Sequence, residues 1–263
     1  MHYRWNFKRH NLAYILKAFG ENRQPGWPRA VRWMGGIKSA LKFGSLPRFM
    51  LGINKSNVDA LETWTVQLLD QLDEHFSQHA YLLGGRPCYG DFSLYGPLHA
   101  HLALDPYPKK HLIESRRYLR DWLARMDETP ESPGEWVAGD DIPETLVPIL
   151  QWQCRDQLPH IAEVGVRTGQ WIIKHPEAAT LPRFIGRADY RINGVESKRL
   201  CTPYSHWMYE RVLETPEGAD SAQLASLSHW LQQQAISFSP EQPDFSLVFQ
   251  HSQLWRRDKL EMR

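Results

Sequence analysis

His75 and His79 stand four residues apart beside Glu74, a spacing that can turn two imidazoles toward one metal ion on a helix face. No third ligand accompanies them, and on an acidic, exposed helical face such histidines read as surface residues, so no metal is expected. His99 and His101 diverge by about 200° around a helix, which suits core or groove histidines better than a shared ligand set. Ser205-His206 is a pair of sequence neighbours whose side chains diverge, which is not the arrangement of a catalytic dyad. The chain contains no G-x-S-x-G, no phosphate loop and no dinucleotide fingerprint; Gly84-Gly85 and Gly194 read as turn glycines. Cys88, Cys154 and Cys201 are odd in number and widely spaced, which supports neither a disulfide framework nor a zinc ribbon and points to a reduced, cytoplasmic protein.

The most informative pair is structural. Cys88 and Asp91 have the spacing of a capping box, in which the residue at the third helical position reaches back to the free N–H groups of the first turn. A thiol is a poor acceptor in place of the usual hydroxyl, and losing a good cap typically costs ~1 kcal/mol. Phe92, Tyr95, Leu98 and Leu102 follow at helical period and predict one buried face. After Asp105-Pro106-Tyr107-Pro108, a second amphipathic segment carries Leu112, Tyr118, Leu119, Trp122, Leu123 and Met126, so the two read as a packed helix pair.

Residues 1–20 predict a helix around Tyr3, Trp5, Leu12, Ile15, Leu16 and Phe19, ended by Gly20. Breakers and aromatics alternate from Glu21 to Ser56, as in a long loop or a set of short helical turns. Ser56 or Asn57 then caps a helix over Val58 to His79, whose apolar side is Leu61, Trp64, Leu68, Leu69, Leu72 and Phe76. Pro130, Pro133, Gly134 and Gly139 mark a linker or domain edge. Beyond it, helical patterns over Ile142–Cys154 and from Pro159 to Ile172 precede an Asn193-Gly194 hairpin signal, both turn positions of which need positive φ. Helices over Tyr204–Leu213 and Ser221–Ala235 follow, and the tail from Phe245 to Leu260 fits strand or helix.

Composition bounds the class. With 42% hydrophobic and 23% charged residues the chain is globular, and 11 Trp are compatible either with a Trp-rich core or with aromatic-lined clefts. No stretch has the length of a membrane span or the form of a secretory leader. The net charge of +1 is uneven: residues 1–60 hold 11 Lys and Arg against Glu21 and Asp59, 11 − 2 = +9, leaving −8 for the rest. That basic segment, interleaved with Trp5, Trp27, Trp33 and Phe43, could hold nucleic acid or an anionic ligand, contact the acidic remainder of the fold, or form a solvated face.

Tyr81-Leu82-Leu83-Gly84, Arg86-Pro87, Asp91-Phe92, Leu94-Tyr95-Gly96 and Leu119 to Met126, with Pro108 between, resemble the C-terminal helical domain of the glutathione transferases. Arg183 to Leu213 resembles, more loosely, the tail that a bacterial subgroup of such proteins adds after the bundle. Here Cys88 stands for the family's usual Ser or Thr cap and Gly90 for a common Ala. The resemblance implies a mainly α fold, a transferase C-terminal-like bundle over 1–128, with an accessory extension over 129–263 that contains a small β-hairpin and packs on it. It further implies that the first helix pairs antiparallel with Val58–His79, and that its face lines the pocket for a hydrophobic co-substrate, with Tyr3, Arg4, Trp5 and Tyr14 as candidates and Cys88 and Asp91 as the structural cap. The family activates the glutathione thiol in a thioredoxin-like domain, which is expected to be absent from this chain, so catalytic residues cannot be named and glutathione is a cofactor only if such a domain is supplied. Expected partners are that domain or a second copy, and a small hydrophobic or anionic ligand; no membrane is expected, and nucleic acid is the least favoured. The alternative is a non-catalytic ligand- or partner-binding module derived from the same fold.

Overall fold

The computed structural model describes residues 9–128, 134–213, 221–234 and 244–260. The chain divides into two compact units, Met1–Ile149 and Leu150–Arg263.

The first unit is helical. Helix α1 (Arg9–Arg23) runs straight through Gly20, and α2 (Arg29–Ala40) follows after a short turn. The expected termination at Gly20 is corrected by packing: a Cβ there would lie 2.1 Å from the Arg32 carbonyl oxygen, and one at Gly36 2.0 Å from that of Leu16. Glycine at both positions lets the two backbones touch, so α1 pairs with α2 and not chiefly with the helix that begins at Val58. Of the two expectations for Glu21 to Ser56, the helical one holds, in longer segments than single turns, with α2 continued by a π turn at Leu41–Ser45 and α3 (Leu46–Leu51).

α4 (Val58–Gln78) buries Leu69, Leu72, His75 and Phe76. Asn57 holds the N-cap position, but its side chain serves the preceding turn, taking the Asn54 N–H at 2.9 Å and donating to the Gly52 carbonyl at 2.8 Å. α5 (Tyr89–Leu98) continues as a π turn, His99–Ala103, just after Pro97. A further π turn, Lys109–Ile113, leads to α6 (Arg117–Asp127). The core is built from α4, α5 and α6: Phe76 stacks on Trp122 at 4.6 Å, with Leu98, Leu102, Leu112, Leu119 and Leu123 around them. Phe92 is not part of it and is 58% exposed. Asp91 points inward, so its neighbour, ~100° further round, points out, and the buried face runs through Leu94, Tyr95 and Leu98 instead. Beyond α6, Gly85 donates to Glu135 at 2.8 Å and Val137 to Leu83 at 3.0 Å, holding residues 134–137 on this unit.

In the second unit, α7 (Val147–Trp152), which begins at its border, passes through a π turn, Gln153–Gln157, into α8 (Leu158–Lys174). β1 (Thr180–Leu181) precedes an antiparallel hairpin of β2 (Arg187–Ile192) and β3 (Val195–Leu200), with Asn193 and Gly194 at φ 47° and 82°. α9 (Pro203–Leu213) and α10 (Ser221–Gln233) follow. The tail is chiefly strand: β4 (Leu247–Gln250) and β5 (Gln253–Arg256) form a second hairpin, which β1 extends in the order β1-β5-β4 before a last turn of helix, α11 (Arg257–Leu260). Val164, Ala188 and Cys201 close the contact between α8 and the β2–β3 hairpin.

Candidate functional site

Asp91 is the polar hub of the first unit and is fully buried. Its Oδ2 accepts the Cys88 N–H at 2.9 Å, and its Oδ1 accepts the Leu82 N–H at 3.0 Å and the Trp122 indole N–H at 3.0 Å. One carboxylate thereby closes the capping box of α5, fixes the strand-like lead-in and anchors α6. Burial, followed by the neighbouring Asp91, raises the pKa of the Cys88 thiol, so this sulfur stays protonated and is no nucleophile.

His75, assigned to the exposed face of α4 on its spacing, is instead fully buried. Its Nε2 lies 3.3 Å from the Tyr81 carbonyl oxygen, which can only accept, so Nε2 carries the proton and Nδ1 accepts from the Thr145 hydroxyl at 2.7 Å. Desolvation lowers its pKa to about 4. His79 stacks on it at 5.0 Å. Among the described residues no group of three or more His, Cys, Asp or Glu is placed to hold a metal. His99 joins a surface cluster in which the Tyr95 hydroxyl donates to Asp127 and lies 2.7 Å from His99 Nδ1; desolvation, then Asp127, raises the Tyr95 pKa to about 12.

Of the pocket candidates, Tyr3, Arg4 and Trp5 lie outside the described residues. Tyr14 is on α1 and 44% exposed. The same helical hairpin leaves Trp33, Met34, Ile37 and Leu41 in solvent, a stripe about 100° wide on α2, opposite the glycines that meet α1. A concave feature of this unit lies elsewhere: a cleft of about 370 Å³ lined by Glu62, Thr63, Val66 and Gln67 of α4 and by Tyr107, His111 and Leu112. Tyr107 is positioned by its own N–H, which donates to Asn11 Oδ1 at 3.0 Å, and its ring lies 4.4 Å from that of His111. The sequence places Leu112 on an apolar face and Tyr107 in a Pro-rich break; for a cleft its only local signals are the i, i+4 pairs Glu62/Val66 and Tyr107/His111.

The π-turned α5, its capping box and the stacked Phe76–Trp122 core lie in or beside residues 65–125, which match the family model described as Glutathione S-transferase, C-terminal domain. This segment belongs to that family. Comparison with curated proteins and with solved structures gave no match. The transferase C-terminal domain therefore covers α4 from Thr65, α5 and α6 nearly to its end, and the cleft at Val66, Tyr107 and His111 falls on it. No helix among the described residues is long and apolar enough to cross a membrane.

Proposed function

We propose that the first unit is the helical part of a glutathione transferase-like protein and supplies the apolar wall of its co-substrate pocket, the thiol being activated by a thioredoxin-like domain that docks beside it. The observation that carries this reading is the exposed stripe of Trp33, Met34, Ile37 and Leu41 along α2 and its continuation. Apolar area of that extent stays in water at a cost unless something covers it. Tyr3, Arg4 and Trp5, which precede α1, are candidates for the same wall, and glutathione is bound only with the second domain. The test is binding of an apolar fluorescent dye such as anilinonaphthalene sulfonate. Trp33→Glu and Ile37→Glu should weaken it with no change in helicity, while Phe92→Glu, exposed elsewhere, should not. Equal effects from all three would sink the proposal.

A second reading, a non-catalytic binding module, is favoured by the thiols and phenols. Burial raises the pKa of Cys88, Cys154 and Cys201, the last to about 11, and of Tyr95 and Tyr209, so none of these groups offers an anionic nucleophile near neutral pH. The chain alone should then neither be retained on immobilised glutathione nor conjugate an electrophilic nitrobenzene. Its ligand would occupy the Val66–Tyr107 cleft, so Val66→Glu and Tyr107→Ala should abolish binding of a small apolar ligand. Conjugation by the purified chain would refute this second reading.

A further inference from the structure

Asp189 and Lys198 face each other as a non-hydrogen-bonded pair of the β2–β3 hairpin. The two-residue turn makes Ile192 and Val195 the first hydrogen-bonded pair, and the alternation that follows turns the Asp189 carbonyl away from β3. It finds a donor on α8. His160 Nδ1 lies 2.8 Å from that oxygen and must donate to it, so the neutral ring keeps a lone pair on Nε2. Desolvation first, with Arg199 among the lesser causes, holds the His160 pKa below its ordinary value, so the ring is neutral at neutral pH. His160 is only 8% exposed, and among the described residues nothing hydrogen-bonds its Nε2, yet that atom is not enclosed. It opens on a cleft of about 330 Å³ that His160 lines together with Pro159, Glu163 and Tyr190.

The rest of the lining is biased the same way. Four acids, Asp156, Glu163, Asp189 and Glu196, stand against two arginines, Arg155 and Arg191, and both arginines are already held. Arg155 spans the two oxygens of Asp156 at 3.0 and 3.3 Å, and Arg191 meets Glu196 Oε1 at 3.0 Å. Glu163 gives one oxygen to Arg167 at 2.6 Å. Asp189, more than half in water, meets Arg167 and Lys198 only at 3.7 and 3.5 Å, and exposed pairs of that kind are weak. The π turn Gln153–Gln157 runs on into α8, so no free helix N-terminus adds positive charge here. The cleft therefore offers acceptors, and such a set is completed by a ligand that brings donors and positive charge together.

We propose that this cleft binds a small organic ammonium ion, which donates one N–H to His160 Nε2, sets its charge against Glu163 and Asp189, and lays its carbon skeleton against Pro159 and Tyr190. The volume suits a small molecule. The test uses the full chain at neutral pH with benzylamine, which is protonated there, and, at equal ionic strength, with benzyl alcohol, sodium benzoate and sodium chloride, read by titration calorimetry and thermal midpoint. Benzylammonium should bind saturably and raise the midpoint, the alcohol should bind about tenfold more weakly or worse, and benzoate should do no more than chloride. Glu163→Gln, on a side chain about one-third exposed, removes the charge with little effect on packing and should weaken benzylammonium about tenfold, as expected for losing a charge-assisted hydrogen bond. His160→Asn keeps a donor for the Asp189 carbonyl but lacks the Nε2 acceptor, and should weaken it similarly; if that variant does not fold, Glu163→Gln decides. The proposal is overturned if benzylammonium does no more than sodium chloride, if the alcohol or benzoate binds as tightly, or if either folded variant binds benzylammonium undiminished.

Discussion

Replacing Asp91 by Ala strands three donors at once, and the structure sets the size of the effect. The Trp122 side is completely buried, so its indole N–H loses a charged acceptor with no water to replace it, which costs about 1–3 kcal/mol. The Leu82 and Cys88 N–H groups are only partly buried, and water can take over there at roughly 1 kcal/mol each. The sum is about 3–5 kcal/mol, a large part of the stability of a domain of this size. Asp91→Asn keeps the shape and one acceptor but turns an amide N–H toward a donor, so it should cost about half as much. Urea unfolding followed by circular dichroism and Trp fluorescence would show both as lower midpoints in the transition of the first unit. Cys88→Ser restores a good cap acceptor and should move the midpoint up, by ~1 kcal/mol at most. Asp91→Ala within about 1 kcal/mol of wild type would refute the hub, and an unchanged Trp122 emission would show that the indole contact carries none of it.

Gly36→Ala forces a Cβ to 2.0 Å from the Leu16 carbonyl oxygen, whereas Gly35→Ala meets only the mobile end of Gln24 at 2.6 Å; the first should cost about 2–3 kcal/mol or block the α1–α2 pairing, and the second should lie within about 1 kcal/mol of wild type by thermal melting. His75 supplies a pH test. Its folded pKa of about 4 lies below the ordinary 6.5, so between those values the unfolded chain binds more protons and stability falls as pH falls, by about 3 kcal/mol at most and not at all above the window. Midpoints of wild type and His75→Gln should therefore converge from pH 6.5 toward 4, and parallel curves would remove His75 as the cause. His206, buried in the second unit and also held near 4 by desolvation, should give that unit a similar loss over the same range.

What the sequence made legible was local. Asp91 three residues after Cys88, the apolar period of α4 and α6 and the Asn193-Gly194 turn are short-range patterns, and each corresponds to an element in the structure. The misreadings have tertiary causes. Pro25-Gly26 does form the turn between α1 and α2, but Gly20 looks like a terminator until the α1–α2 crossing shows that Gly20 and Gly36 serve close approach. His75 stands among acids on a helical wheel, yet Thr145, seventy residues later, and the Tyr81 carbonyl provide the partners that let it be buried. The Val66–Tyr107 cleft joins positions some forty residues apart through Asn11, which no local period reveals.

Arg199 shows how far a sequence can be pushed once one constraint is fixed. A two-residue turn at Asn193-Gly194 dictates the register, and with it that 188, 190 and 192 share a face with 195, 197 and 199. The other face, Arg187, Asp189, Arg191, Glu196 and Lys198, is charged and exposed, as the solvent side of a ribbon should be. On the inward face, Ala, Tyr, Ile, Val and Ser are the expected company, and Arg199 is the only charged member. A period-2 ladder thus identifies an arginine that breaks the rule, while its counter-charge has to come from outside the ladder. Asp156, Glu163, Asp189 and Glu196, the acids of α8, the turn before it and the hairpin, are each engaged by other cations. A long aliphatic stem lets such an arginine share an inward face, with its guanidinium 5.9 Å from the centroid of the Tyr190 ring on the neighbouring strand.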